Sequence, residues 1–290
     1  MTSRSRAVLA LLVAILFVST NGLLIKLSSW DALALNGARS LVAAAVLWAY
    51  LRRPNFTWSR AQVGGAIMYA LMIITFVQAT KWTTAANAIF LQYTAPLWVA
   101  LLGIWLLGER PKRSDWITLI AVAIGLLFFF GGELTRAGYW GNILAIFSGF
   151  CAALFLIALR AQKDGSPTET VLLGNLIAAA IGLPFILFSD QPVNAREIGI
   201  ILFLGVFQLG LPFILITLAI KQLSALEAIL IQSLEPILVP IWVYVFIGEK
   251  PAPSALLGAV IVITAVTINA IITARRPDQE KPIKTGGVKT

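Results

Sequence analysis

Two stretches, Lys81–Pro111 (KWTTAANAIFLQYTAPLWVALLGIWLLGERP) and Lys221–Pro251 (KQLSALEAILIQSLEPILVPIWVYVFIGEKP), align without a gap at a constant offset of 140 residues. Ten positions are identical, among them Gln92/Gln232, Pro96/Pro236 and the shared endings Gly108/Gly248, Glu109/Glu249 and Pro111/Pro251. Apolar composition accounts for the matched alanines and isoleucines. It does not account for a matched glutamine, proline and charged turn. The chain therefore reads as an internal duplication.

The sequence on either side is equally apolar. Of 290 residues 59% are hydrophobic and 12% charged, against roughly a quarter charged in a soluble domain. Polar punctuation leaves ten apolar segments, near 7–27, 32–51, 61–80, 85–107, 115–131, 140–159, 168–188, 197–219, 224–247 and 254–274. Segments of this length and apolarity cross membranes as helices. The first continues past the usual length of a signal peptide without a cleavage site, so it is read as a spanning helix. The expected fold is an all-α polytopic membrane protein whose ten transmembrane helices form two five-helix repeats, 7–131 and 140–274. A charged, Pro- and Gly-containing tail, 275–290, is expected to be disordered. Five is odd, so the repeats enter the membrane from opposite sides. Inverted repeats of this kind build secondary transporters, with the substrate site where the halves meet near mid-membrane.

Charge sets the expected orientation. With the N-terminus in the cytoplasm, sixteen Lys and Arg fall on the cytoplasmic side and five outside. This is a positive-inside pattern that places both termini, and the tail, in the cytoplasm of a cell with a multi-pass inner (plasma) membrane protein. The net charge of +9 then reflects basic loops beside anionic lipid, with no nucleic-acid partner needed. Seven tryptophans, Trp30, Trp48, Trp58, Trp82, Trp105, Trp116 and Trp140, fall near segment ends as interfacial anchors. A single cysteine, Cys151, and no histidine leave no disulfide and little metal-binding chemistry, and no cofactor or metal is expected. No phosphate loop or nucleophile elbow is present.

Glu235 interrupts LIQSLEPILVPIW (230–242). A charge at mid-membrane costs about 3 kcal/mol or more unless paired or protonated. Pro236 takes away the N–H that the Gln232 carbonyl would bond, and Pro240 does the same to Pro236. Glu235 thus either fixes the kink by donating to a freed carbonyl or serves as a substrate and proton site. Gln92 and Gln232 either bind substrate or bridge the fourth and ninth helices. Asn21 and Gln208 carry the same two readings. Phe76, Tyr93, Trp98 and Phe150 lie away from the interfacial belt and face a cavity, packing or lipid, which periodicity cannot separate in a bundle. Pro96 and Pro236 are candidate hinges. Arg39, about two turns into its helix, reads as an anchor to loop carbonyls or to the surface. Ser114 and Ser254, at matched positions, are expected to cap the following helices.

LVAILFVSTNGLLIKLS (12–28), ALNGARSLVAAAVLW (34–48) and the endings GERP and GEKP resemble EamA-type members of the drug/metabolite transporter superfamily. The resemblance covers nearly all of residues 7–274. It implies a ten-helix inner-membrane carrier, often an exporter of amino acids or other small metabolites. Carried over by position, Tyr93 matches an aromatic cavity residue of the aromatic amino acid exporters. Ala95 stands where that subgroup has tryptophan, and Val18-Ser19 where many members have Trp-Gly, so the match does not extend to an aromatic substrate.

The expected function is a secondary transporter that moves a small polar or amphipathic metabolite outward by alternating access. Protons are the candidate coupling ion, and a monomer or homodimer the assembly. The alternatives are a channel-like facilitator, which calls for repeated polar rings, and an intramembrane enzyme. The enzyme reading lacks a second deep carboxylate beside Glu235. Reporter fusions test the orientation: Thr290 is expected to report cytoplasmic and the 132–138 loop external. Signals from one side only would defeat the inverted repeat.

Overall fold

The structure is a computed structural model and describes residues 3–130, 138–165, 167–188, 193–238 and 253–275. Described residues are almost entirely helical. The first half comprises α1 (Ser3–Val18), α2 (Asn21–Leu27), α3 (Ala32–Leu51), α4 (Arg60–Trp82), α5 (Ala85–Gln92), α6 (Ala95–Leu107) and α7 (Arg113–Phe130). The second comprises α8 (Tyr139–Ala161), α9 (Pro167–Leu187), α10 (Ala195–Phe203), a π-helical stretch Leu204–Gly210, α11 (Leu211–Ile220), α12 (Ala225–Gln232) and α13 (Pro253–Arg275). Eight helical stretches among the described residues are long and apolar enough to cross a membrane. They coincide with eight of the expected segments. The other two are α7, and α12 with the helical residues 235–238 that follow it. Pro240 and Glu249 lie outside the described residues, as does nearly all of the tail.

Four of the expected segments are not single helices. At matched positions α5 ends at Gln92 and α12 at Gln232, each with a two-residue turn before helix resumes at Ala95 and Glu235. Pro96 thereby falls in the first turn of α6, where proline is compatible with the helix it starts, and the carbonyl of Gln92, four residues back, is left without the N–H donor that a continuous helix would have given it. The break between α1 and α2 has no proline. There the Ser19 and Thr20 hydroxyls donate to the carbonyls of Leu16 and Phe17, both at 2.9 Å, competing with the backbone for those acceptors. The π-helical stretch precedes Pro212, which has no N–H for the carbonyl of Gln208.

Capping follows the repeat as well. Thr84 accepts from the Asn87 N–H at α5, and its mate Ser224 caps α12 in a capping box with Glu227. Ser114 and Ser254, expected as caps, lie inside the first turns of α7 and α13. At α7 the Asp115 carboxylate accepts from the Lys112 N–H instead, at 2.9 Å.

The major packing runs between halves. α4 lies against α8 and α9, α3 against α9, and α1 against α11, while α7 pairs with α13. In lipid such contacts depend on close approach rather than on expelling water, so small residues mark them. Gly37 on α3 meets Gly182 on α9, where a Cβ at Gly182 would stand 2.4 Å from the Gly37 Cα. Six of the seven predicted anchor tryptophans are exposed, consistent with a place at the interface. Trp30 is buried instead, under α2 and α3. Because backbone meets backbone at Gly37–Gly182, a Gly182→Val side chain must push α3 and α9 apart. The expected result is lower thermal stability, by about 1–3 kcal/mol, with less monodisperse protein in size-exclusion chromatography. Parental stability would contradict the observed contact.

Candidate functional site

Both half-helix junctions line one cavity of about 100 Å3. From the first half Asn21, Phe76, Gln92 and Tyr93 line it, and from the second Gln208, Gln232 and Glu235. These seven are brought together from five helical segments of the chain. Trp98 and Phe150 are not in the wall; their rings meet edge to face at 5.5 Å between α6 and α8.

The freed carbonyls explain much of the geometry. Tyr93, from the first break, stands with its hydroxyl 2.8 Å from the Gln232 carbonyl oxygen, the acceptor that Pro236 leaves without a helical donor. The same hydroxyl is 3.0 Å from Glu235 Oε2. The phenol has one proton for two acceptors. When Glu235 itself carries a proton, the carboxyl donates to the phenol oxygen and the phenol to the carbonyl, so every group is satisfied. Of the two readings the sequence leaves open for Glu235, the kink-fixing one calls for a bond to the freed carbonyl; that bond is made by Tyr93, and Glu235 lines the cavity. At the first break, a Cβ on Gly149 of α8 would come 2.5 Å from the Gln92 carbonyl oxygen. Only glycine lets α8 cover that carbonyl so closely.

The paired glutamines do not bridge to one another. Gln92 Nε2 donates to Ser148 Oγ on α8 at 2.8 Å, and Ser148 donates onward to the Met72 carbonyl at 2.9 Å. Gln232 Nε2 turns back to the Ala228 carbonyl of its own helix, at a loose 3.4 Å. Gln92 is a tether between halves, while Gln232 is free to rotate toward a ligand.

Arg39 corrects the sequence reading. It is not a surface anchor: it is 1% exposed and lines the cavity. Its Nε and Nη2 both donate to Asn36 Oδ1, at 3.2 and 3.0 Å. Nη1 donates to Gln208 Oε1 at 2.9 Å and, more weakly, to Asn21 Oδ1 at 3.4 Å. Among the described residues no carboxylate comes within 4.0 Å of it. The available signal was Asn36, one turn before Arg39 on an otherwise apolar helix. Two such residues three apart share a face.

Both ends of the bundle tie the halves together. At one, the Arg4 guanidinium pairs with Glu227 at 2.6 Å and donates to the carbonyls of Thr273 and Gln222. Beside it Arg160 pairs with Glu109 at 2.6 Å and donates to the Ile220 carbonyl, while Glu109 also accepts from the Ala225 N–H. The first spanning segment runs from Arg4 to Lys26, so Lys26 marks the other end. There Lys26 donates to the Thr83 carbonyl and Lys81 to that of Ser28. Asn142 Oδ1 accepts from Thr83 and Asn87, and Glu197 accepts from Ser28 and Ser29.

The sequence model of the EamA-like transporter family matches residues 5–131 and 139–271. The chain belongs to that family. Relatives within reach of it are transporters. It is 25% identical to the threonine/homoserine exporter RhtA of Salmonella typhimurium, over 84% of this chain and 83% of the relative. It is 24% identical to the pseudopaline exporter CntI of Pseudomonas aeruginosa, over 78% of this chain and 82% of that one. An uncharacterised transporter of Archaeoglobus fulgidus is 28% identical over 72% of this chain and 76% of its own length. A solved crystal structure shares the fold, with a TM-score of 0.78 over 94% of this chain and all of the other, at 22% identity. The chain is thus a multi-pass membrane protein of a transporter family.

Proposed function

We propose that this transporter exports a small polar metabolite, an amino acid or related compound, across the inner membrane by alternating access between two inverted halves, 7–131 and 140–274. The observation that carries this reading is the cavity itself. Its polar wall is drawn from both halves at matched helix breaks, so any relative motion of the halves remakes the site. The double family match agrees with the halves. The named relatives, a threonine/homoserine exporter and a pseudopaline exporter, support an amino-acid-like substrate carried outward.

In this reading Pro96 and Pro236 keep the breaks open as hinges. The ties at the Arg4 end and the Lys26 end act as the two gates. Glu235 holds a proton when the cavity is empty and the cationic group of the substrate when it is full, which makes protons the coupling ion. The groups around it are Tyr93 at its carboxylate and Arg39 in the same cavity wall. Its repeat mate is the neutral Ala95, so the kink alone does not require a carboxylate. Glu235→Gln keeps the shape and removes the titration. In proteoliposomes, with folding checked by size exclusion, the variant is expected to transport at least about tenfold more slowly, the rate equivalent of ~1.4 kcal/mol, and to lose the parental pH dependence. A folded variant with parental rate and pH profile would assign Glu235 to structure alone.

A further inference from the structure

Arg39 is a buried cation without a counter-ion among the described residues. Taking a guanidinium out of water is costly, and the cost is recovered only by good hydrogen bonds or by an opposite charge. Here its donors meet amide oxygens alone, from Asn36, Gln208 and Asn21. Architecture alone would be served more cheaply by an apolar side chain at this place in α3.

The four contacts are not equivalent. Asn36, one turn back on the same helix, takes the Nε and Nη2 donors on one oxygen and so fixes the plane of the guanidinium. Its own Nδ2 is buried and donates to nothing among the described residues. On the Nη1 side the partners are Gln208 and Asn21, both of which line the cavity. Gln208 sits in the π-helical stretch, and the Asn21 contact is long at 3.4 Å. Both are side chains that an arriving acceptor can displace. Glu235 lines the same cavity, held by Tyr93 and not bonded to Arg39. A fixed positive and a titratable negative group thus share one small chamber without neutralising each other.

We infer that Arg39 is the carboxylate receptor of the cavity and Glu235 with Tyr93 its ammonium receptor, so that the transported class is zwitterionic α-amino acids. This rests on the transport reading above and adds its polarity. The carboxylate of the substrate docks on Nη1 of Arg39, oriented by Asn36, with Gln208 and Asn21 giving way or turning to donate their amide N–H groups. The ammonium replaces the proton on Glu235. A ligand with only one of the two charges leaves either Arg39 or Glu235 uncompensated, and the site rejects it.

The experiment is ligand-induced thermal stabilisation of the purified full chain. The probes are the proteinogenic L-amino acids, the decarboxylated amine of each and the matching hydroxy acid. A second panel holds polyamines and nucleosides. For the wild type, at least one amino acid is expected to bind about 30-fold more tightly than both its amine and its hydroxy acid. That ratio reflects a lost charged hydrogen bond of ~2 kcal/mol. Arg39→Gln is expected to weaken the amino acid about 30-fold while the amine binds no more weakly than before, because the charge it left uncompensated is gone, and Arg39→Lys is expected to recover part of the loss. A wild type that binds amine and amino acid equally overturns the inference without any variant, so misfolding of Arg39→Gln cannot hide the answer. So does an Arg39→Gln protein that weakens both equally. If polyamines or nucleosides bind and no amino acid does, the zwitterion inference fails while the transport reading stands. If transport assays with every bound compound fail, the transport reading itself falls.

Discussion

A backbone carbonyl cannot be left bare at the centre of a bilayer, and Pro96 and Pro236 each remove the donor that one such carbonyl would have used. The rest of the site follows from how the two carbonyls are covered. Each is covered by the opposite half: Gln92 O by the backbone at Gly149, Gln232 O by the hydroxyl of Tyr93. The breaks therefore hold the halves in register and at the same time open polar backbone and side chains toward a shared chamber. Irregular backbone at this depth is tolerated only where it lines a cavity or is buried in protein, and here it does both.

In the proposed two-repeat plan, matched positions share their architecture and differ in their charge. Thr84 and Ser224 cap matched helices, and the residues three beyond them, Asn87 and Glu227, each bind a residue at the start of the facing half's first helix. Asn87 meets the neutral Asn142, whereas Glu227 meets the charged Arg4. Removing one partner of a buried ion pair costs about 3–5 kcal/mol, well above the ~1 kcal/mol typical of a neutral hydrogen bond. One plan thus yields two ties of unequal strength. The same divergence puts Glu235 opposite Ala95, and makes the π-helical stretch at Gln208 the counterpart of a regular turn of α4. A symmetric cavity would have no polarity for a substrate to read.

The apolar segments and the proline breaks were legible because each follows from a strong local constraint: hydrocarbon thickness and a missing N–H. The direction of individual side chains was not. Every face of a bundle helix is apolar, so nothing in the periodicity separates Phe76, which lines the cavity, from Trp98 and Phe150, which pack against each other beside it. Arg39 reads as an anchor because it stands near a helix end, yet it is buried in the cavity wall, where its guanidinium meets Asn36, Asn21 and Gln208. The α1 break lacked a proline and announced itself only as the polar run Ser19–Asn21. Tyr93 crossing to Gln232 depends on the meeting of two breaks 140 residues apart, which no local pattern encodes.

In the alternating-access mechanism we propose, opening at one end accompanies closure at the other. Cys151 is buried, so spin labels on introduced cysteines can be read without background. Lys112 and Gln222, both exposed, report the Arg4 end across the two halves; Trp82 and Val193, also exposed, report the Lys26 end. Electron–electron distance measurements in lipid, on the parental chain and on Glu227→Gln, test the coupling. The account predicts that releasing the Arg4–Glu227 pair lengthens the Lys112–Gln222 distance while the Trp82–Val193 distance shortens. Distances that lengthen together, or an end that opens with no change at the other, would contradict it.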